Sequence, residues 1–148
     1  ALDVIAANRQ QLKLLGGDSL YNADILKIGQ ANAVDIVLSA AWHRQSNPKA
    51  TFPEDAQNLW GGPVSWRTAM AYDATQAIAG GIQATGQPPT SITAEQVQQA
   101  MAQPAFGAEG ATEIVQFLPS GDRSLPPQLV TVQADPQAEF GYSFVPIP

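Results

Sequence analysis

An acidic residue follows the first short apolar run of the sequence, at a place where a carboxylate can bind a ligand. Residues 12–15 are predicted to form a strand, the run ends at Gly16-Gly17, and Asp18 comes next. Open α/β sheets bind ligands beyond the carboxyl ends of their strands. A charge-assisted hydrogen bond there contributes roughly 1.5–3 kcal/mol. The alternative is that Asp18 only caps the turn or the next helix. Ser19 and Tyr21 stand beside it and offer two hydroxyl groups, unless they are a plain loop serine and a half-buried tyrosine.

A second pair of candidates opens the longest predicted helix. The planar guanidinium of Arg67 can bind a carboxylate through two parallel hydrogen bonds, a bidentate ion pair. Trp66 precedes it in the sequence. It also starts an apolar stripe along the helix, so plain core packing is the alternative interpretation.

The signatures of several catalytic sites are missing from the sequence. It contains no G-x-S-x-G elbow, no G-x-x-x-x-G-K-[ST] loop and no G-x-G-x-x-G fingerprint. His43 is the single histidine and cysteine is absent, so a zinc site made of such ligands cannot be built. Glu54 and Asp55 are interpreted as first-turn helix charges and not as a general acid and base. We therefore expect a protein that is not an enzyme and uses no cofactor or metal.

Composition limits the classes of partner. Of the 148 residues 45% are hydrophobic and 14% are charged, which favours a packed globular core. The net charge is −6 with only 7 Lys and Arg, too few for the basic surface that nucleic acid requires. No run of 18 apolar residues is present. Because Ala1 falls inside a predicted helix, we expect upstream sequence to be missing.

The first part of the chain alternates between helix and strand. A helix is predicted over 2–8, with Leu2, Ile5 and Ala6 on one face. Asn22 is predicted to cap a helix over 23–28, with Ile25, Leu26 and Ile28 facing inward. The nearly continuous apolar run 34–41 is typical of a strand covered on both faces. This order predicts an α/β layer with a parallel sheet.

The second part is richer in helix. A polar connector over 43–52 precedes a short helix that starts near Pro53 and ends at Gly61-Gly62. A capping box of Thr93 and Gln96 marks the start of another helix. Between them, the longest helix carries a predicted buried stripe of Trp66, Met70, Ala74, Ile78 and Ile82, with Ala69, Ala71 and Ala77 as close-packing residues. Three strand-like stretches follow, over 113–118, 128–132 and 140–145.

Three stretches, in order and spacing, resemble the leucine/isoleucine/valine-binding family of periplasmic substrate-binding proteins of ABC transporters. They are Leu14-Leu15-Gly16-Gly17-Asp18-Ser19-Leu20-Tyr21, then Trp60-Gly61-Gly62 through Trp66-Arg67-Thr68-Ala69-Met70-Ala71-Tyr72-Asp73-Ala74, and Phe106-Gly107-Ala108-Glu109-Gly110 leading to Gly121-Asp122-Arg123. The resemblance covers essentially the whole chain and matches the second half of the family.

The resemblance implies the type I periplasmic-binding-protein fold, in which two Rossmann-like α/β lobes close on a solute about a hinge. The chain would be its C-terminal half and contain parts of both lobes. Residues 1–42 would end the C-terminal-lobe unit and 43–52 would be a hinge crossover. Residues 53–124 would belong to the N-terminal lobe, and 125–148 would return to the C-terminal lobe. Hinge candidates are Trp42, Pro48 and His43, the last expected to be solvent-exposed.

The resemblance also implies a function. Asp18 would hold the ammonium group of an amino acid or amide, and Trp66 and Arg67 would lie where the family has cleft residues. The partners would be the solute, a transporter permease and the missing N-terminal half of the same chain. The protein would be periplasmic or extracellular, with a lipid anchor as one option. A ligand-binding sensor domain of a receptor or kinase is the alternative, and a small α/β hydrolase or transferase comes third.

The predicted strand over 34–41 also bears on association. A strand of this kind should be covered on both faces, and the chain lacks the neighbours that would cover it. We therefore expect the isolated chain to self-associate or to repack.

Overall fold

A computed structural model describes Val4, Ala7, Asn8 and residues 12–147. The predicted helical face of Leu2, Ile5 and Ala6 lies outside the described residues. The chain divides into two compact units. We call Ala1–Ser46 with Pro127–Pro148 the sheet unit, and Asn47–Pro126 the helical unit.

The described residues of the sheet unit form four strands and the helix α1 (Ala23–Gly29), together with short 3-10 turns. The strands are β1 (Leu15–Gly16), β2 (Val37–Ala40), β5 (Gln128–Ala134) and β6 (Tyr142–Pro146), in the order β1-β2-β5-β6. Helix α1 connects β1 to β2, which pair in parallel as the sequence predicts. The other two pairings are antiparallel. Parallel pairing of β5 with β6 would need a long crossover, and the segment between them is too short for one.

The core of the sheet unit lies on one face of β2 and β5. Leu38, Ala40, Val130 and Val132 have no exposed surface. Tyr21, Ile25, Leu26 and Phe144 are among the partly buried side chains that pack against this core. These contacts hold α1 and the chain segment after β1 on the sheet.

Three local predictions in the sheet unit are corrected. The strand predicted over 12–15 comprises only Leu15–Gly16. Ile28 is 73% exposed, because it points away from the face of α1 that carries Ile25 and Leu26. The strand predicted over 34–41 is shorter, because Asp35 has a φ of 67° and breaks the extended backbone. Within β2, Leu38 and Ala40 are buried while Val37 and Ser39 are only partly covered, so one face is less covered than predicted.

The helical unit contains α2 (Phe52–Trp60), α3 (Trp66–Ala84), α4 (Ala94–Met101) and a two-stranded antiparallel sheet of β3 (Ala108–Glu109) and β4 (Ile114–Val115). Pro53 occupies the first turn of α2, and Gly61 ends it with a φ of 71°. The predicted capping box of Thr93 and Gln96 starts α4. None of the helices formed by the described residues combines the length and apolarity needed to cross a bilayer.

The buried face of α3 differs from the predicted one. The buried residues are Ala69, Asp73, Ala77 and Gly81, whereas Ile78 is 53% exposed. Small residues are needed on the inner face because a Cβ atom on Gly81 would lie 2.7 Å from Met101 Cγ. Because α3 packs closely against α4, its small residues face inward. Most of the stripe of larger residues therefore faces outward. The predicted stripe of Trp66, Met70, Ala74, Ile78 and Ile82 is wrong as the buried face, and so is Ala71 as a close-packing residue.

The segment predicted as a hinge contains the boundary between the two units. The chain leaves the sheet unit after Ser46 and returns at Pro127. Trp42 and His43 are only 3% and 4% exposed, so the expectation of a solvent-exposed His43 is wrong. His43 is buried because its ring fits between Tyr21 and the backbone of β6. Pro48 is exposed. A hinge role for residues 43–52 stays a prediction.

Candidate functional site

Asp18 lies directly beyond the carboxyl end of β1, in a short turn that folds back over the sheet. It opens a single 3-10 turn, Asp18–Leu20, and is exposed together with Ser19. Glycine at position 16 permits this turn, because a Cβ atom there would lie 2.6 Å from Leu20 Cδ1 and 2.8 Å from Leu38 Cδ2. The sequence therefore places the Asp18 carboxylate at the edge of the sheet.

The capping role considered for Asp18 belongs to another residue. The Asn22 side chain accepts hydrogen bonds from the backbone N–H groups of Asp24 and Ile25 and so caps α1. The backbone carbonyl of Asp18 accepts the N–H of Tyr21 at 2.9 Å. Its carboxylate has no hydrogen bond or ion pair within the described part of the chain. The side chain is therefore available to a ligand.

Tyr21 is anchored in the sheet unit next to Asp18. Its ring meets the edge of the Phe144 ring with centroids 4.6 Å apart, and the His43 ring lies 6.0 Å away. Burial raises the pKa of Tyr21 to about 12, against the opposing effect of Arg44. At neutral pH the hydroxyl is therefore a neutral group that can both donate and accept a hydrogen bond.

His43 is held in one tautomer by two backbone groups. The N–H of Gln45 donates to Nδ1 at 3.1 Å, so Nδ1 carries no proton. Nε2 then carries the proton and donates it to the carbonyl oxygen of Phe144, also at 3.1 Å. Burial lowers the pKa of His43 below 6.5, the Phe144 hydrogen bond opposes this effect, and Arg44 adds to it. His43 is thus a neutral link between residues 43–45 and β6.

Trp66 and Arg67 open α3 in the helical unit. The guanidinium of Arg67 lies 4.4 Å from the centre of the Trp66 ring, a cation–π contact. Arg67 is exposed, Trp66 is half-buried, and the indole Nε1 of Trp66 is buried without a hydrogen-bond partner among the described residues. These two candidates lie in the helical unit, whereas Asp18, Ser19 and Tyr21 lie in the sheet unit.

Asp73, interpreted from the sequence as structural, is the centre of a buried polar network. Its Oδ2 lies 2.6 Å from the Nη2 of Arg123, and its Oδ1 accepts the backbone N–H of Ala111 at 2.6 Å. Gly110 permits this approach, because a Cβ atom there would lie 2.8 Å from Asp73 Oδ1. The network fixes the turn between β3 and β4 on α3. Sequence reasoning missed Arg123 as the partner because 50 residues separate it from Asp73.

A cavity of about 500 Å³ lies within the helical unit, and sequence reasoning did not identify it. Residues from the segment before α2, from α2 itself, from α3 and from the β3–β4 turn line it. The spacing of Phe52 and Trp60, eight residues apart and hence on one side of a helix, is the one signal that could have indicated an aromatic wall. The described residues include no group of three or more His, Asp or Glu side chains placed to hold a metal ion.

No protein-family model matches the chain, and no curated protein does. Solved structures do match. The leucine-, isoleucine-, valine-, threonine- and alanine-binding protein of Brucella ovis aligns over 99% of this chain with a TM-score of 0.83 and 14% identity. A leucine-binding protein of Thermotoga maritima aligns over 97% with a TM-score of 0.67 and 20% identity. An ABC-transporter substrate-binding protein of Desulfitobacterium hafniense in complex with Leu aligns over 97% of this chain with a TM-score of 0.65 and 17% identity.

The chain covers only part of each of these proteins. It spans 38% of the Brucella structure, 40% of the Thermotoga structure and 39% of the Desulfitobacterium structure. Such a share is consistent with the C-terminal half that the sequence predicts. The predicted resemblance and α/β fold class are therefore confirmed: the chain has the type I periplasmic-binding-protein fold, over about two fifths of the length of the substrate-binding proteins it matches.

Proposed function

We propose that the chain is part of the solute-binding component of an ABC transporter and that this protein binds an amino acid or a similar small polar solute. The observation that carries the proposal is the fold likeness to solved proteins whose names state amino-acid binding, among them a complex with Leu. Those neighbours are binding proteins and not enzymes. We infer that this chain, too, binds and delivers its solute without catalysis.

Asp18 is the residue that we propose to hold the ammonium group of the solute. Its carboxylate is exposed, lies beyond the carboxyl end of β1, and has no partner within the described residues. This is where open α/β sheets bind ligands. The neutral Tyr21 hydroxyl and the exposed Ser19 hydroxyl are candidates for further hydrogen bonds beside it. The positions of both hydroxyl groups depend on the short turn that also positions Asp18.

Trp66 and Arg67 remain proposed ligand contacts in the helical unit. Arg67 is exposed and makes no ion pair among the described residues, so its guanidinium is available to a solute carboxylate. Its stacking on Trp66 limits its conformations and lowers the entropy cost of forming such a pair.

The proposal also sets the partners and the location. A protein of this function delivers its solute to a transporter permease, and it acts in the periplasm or at the cell exterior. Residues 43–52 would then serve as a hinge, with Trp42, His43 and Pro48 at or beside the boundary between the units. Closure would follow from tighter solute binding to the closed state.

A thermal-shift screen of the full-length protein that contains this chain tests the proposal. Amino acids, amides and organic acids are the three arms. A ligand at one hundred times its dissociation constant stabilises the native state by about 2.7 kcal/mol. We expect at least one amino acid or amide to raise the melting temperature, with calorimetric titration confirming one site. If no compound in those two arms shifts the transition, the proposed function is wrong.

A further inference from the structure

The cavity of the helical unit lacks an assigned role, and its walls combine aromatic rings with acidic groups that make no ion pair among the described residues. We propose that it is a second binding site, specific for an organic cation in which an ammonium or guanidinium group is joined to an apolar body. The cavity volume of about 500 Å³ lies within the range of small-molecule sites, roughly 300–1,000 Å³. The proposal does not depend on Asp18 or on amino-acid transport.

The aromatic wall comes from α2 and α3. The rings of Phe52 and Tyr72 have centroids 4.7 Å apart, and the Phe52 and Trp60 rings have centroids 6.5 Å apart. Trp60 is 55% exposed, so its ring remains accessible to a ligand. The faces of aromatic rings attract cations, and tryptophan attracts them most strongly.

The charged lining favours a positive ligand. Asp55, Glu109 and Glu113 contribute carboxylates, and Lys49 is the one cationic side chain in the lining. Within the described residues these four side chains make no ion pair with one another or with other groups. A cation entering the cavity therefore meets carboxylates that are not already paired with a cation of the described residues. The aromatic rings suit an organic cation better than a strongly hydrated metal ion.

The cavity is held open by bonds that do not involve a ligand. Asp73 accepts the N–H of Ala111 and pairs with Arg123, which fixes one side of the β3–β4 turn. The side chain of Asn47 donates to the carbonyl oxygen of Thr112 at 2.9 Å, which ties the other side of the turn to the segment before α2. A site that is formed in advance loses less entropy on binding.

Calorimetric titration of the full-length protein with phenethylammonium tests the proposal. Phenethyl alcohol, which has a similar apolar body and no charge, and 3-phenylpropionate, which is an anion, are the matched ligands. We expect phenethylammonium to bind, the alcohol to bind more weakly, and the anion not to bind. Affinity should fall with added salt, as attraction between exposed charges does. Equal affinity for the ammonium and the alcohol, or no binding of the ammonium, would overturn the proposal.

Charge variants locate the site. Asp55→Asn and Glu113→Gln should each weaken phenethylammonium binding by about two- to fivefold, the range expected for exposed charge pairs. Lys49→Gln removes a positive charge from the lining and should strengthen phenethylammonium binding. Glu139→Gln, an exposed change in the sheet unit, is the control and should have no effect. If Asp55→Asn and Glu113→Gln both leave the affinity unchanged, the cavity is not the binding site.

Two further variants test the role of the aromatic wall and distinguish this site from the one proposed at Asp18. Trp60→Ala removes an exposed ring, so the fold should persist, which circular dichroism checks, while binding weakens. Asp18→Asn separates this site from the proposed solute site, and phenethylammonium binding should survive it. Loss of binding in Asp18→Asn alone would place the cation at Asp18 and overturn the proposal, while leaving the proposed transport function open.

Discussion

The Oδ2 of Asp73 lies 2.6 Å from the Nη2 of Arg123, and the Asp73 side chain is only 5% exposed. The same carboxylate accepts the backbone N–H of Ala111. Buried charges of this kind are costly to leave without a partner. Asp73 thus ties α3 to the β3–β4 turn through Ala111 and to the chain segment after β4 through Arg123, and removal of either charge leaves the other without its partner.

We expect Asp73→Asn to lower the free energy of unfolding by about 3 kcal/mol, because it leaves Arg123 without its counter-charge. Urea denaturation followed by circular dichroism measures the change. Glu139→Gln is the control, since an exposed residue away from such features changes stability by less than about 0.5 kcal/mol. Equal midpoints for the two variants would show that the pair contributes little.

We expect stability to fall with decreasing pH below about 6.5 through His43. Its pKa is lowered in the folded protein, mainly by burial, so the unfolded chain takes up a proton before the native state does. Acid therefore favours unfolding between the ordinary pKa of 6.5 and the lowered folded value, and no further through this group below that value.

His43→Gln checks this expectation, since it removes the titrating ring. Denaturant unfolding of both proteins at pH 7.5 and at pH 5 separates His43 from the carboxylates, which titrate in both. The stability difference between wild type and variant should shrink at the lower pH. A difference that is constant with pH would mean that His43 does not titrate in this range.

Asp18→Ala in the full-length protein is expected to abolish or strongly weaken binding of a zwitterionic solute while leaving the fold intact. Loss of a charge-assisted hydrogen bond of roughly 1.5–3 kcal/mol corresponds to about a 10- to 150-fold loss of affinity. Calorimetric titration measures it. Asp24→Ala, an exposed aspartate in the first turn of α1, is the matched control. An unchanged affinity for Asp18→Ala would remove this residue from the site.

Two neighbouring glycines of α3 should respond differently to alanine. A Cβ atom on Gly81 would lie 2.7 Å from Met101 Cγ and 3.0 Å from Val97 Cγ1. Overpacking of this kind costs about 1–3 kcal/mol. On Gly80 the nearest atom would be Ala108 Cβ at 3.3 Å. At Gly80 this close contact offsets the roughly 1 kcal/mol by which alanine stabilises a helix relative to glycine. Thermal unfolding should show a lower melting temperature for Gly81→Ala and little change for Gly80→Ala. A larger decrease for Gly80→Ala than for Gly81→Ala would contradict the packing argument.

The 148-residue chain by itself is expected to self-associate with increasing concentration. Strand β1 lies at one edge of the sheet, and its Leu15 is 74% exposed. In the helical unit, Leu59 and Ile78 are 76% and 53% exposed. Edge strands and exposed apolar groups promote association. Multi-angle light scattering measures the mass, and Leu15→Lys should reduce association. A monomer at every concentration would contradict the prediction.

The ends of helices were predictable from the sequence. Asn22, the Thr93–Gln96 pair and Gly61 act on backbone groups within four residues of themselves, so their effect depends on local sequence alone. The position of Asp18 after β1 was predictable for the same reason.

Features that depend on distant partners were not predictable. On α3 the series from Trp66 and the series from Ala69 both repeat every four residues, and contact with α4 and the β3–β4 turn decides which is buried. His43 looked exposed because it stands among polar residues, yet its partner Phe144 is 101 residues away. The cavity likewise brings Asp55 together with Glu109 and Glu113, which sequence spacing does not link.

The division of the chain has a consequence for how it folds. The helical unit is one continuous segment, Asn47–Pro126, whereas the sheet unit is assembled from both ends of the chain. Pairing of β2 with β5, where Ala40 faces Gln128, closes a loop that contains the whole helical unit. The entropy cost of closing a loop rises with its length, and contacts distant in sequence form slowly. The helical unit can therefore gain its structure early, and every residue that it orders shortens the flexible loop that β2 and β5 must close.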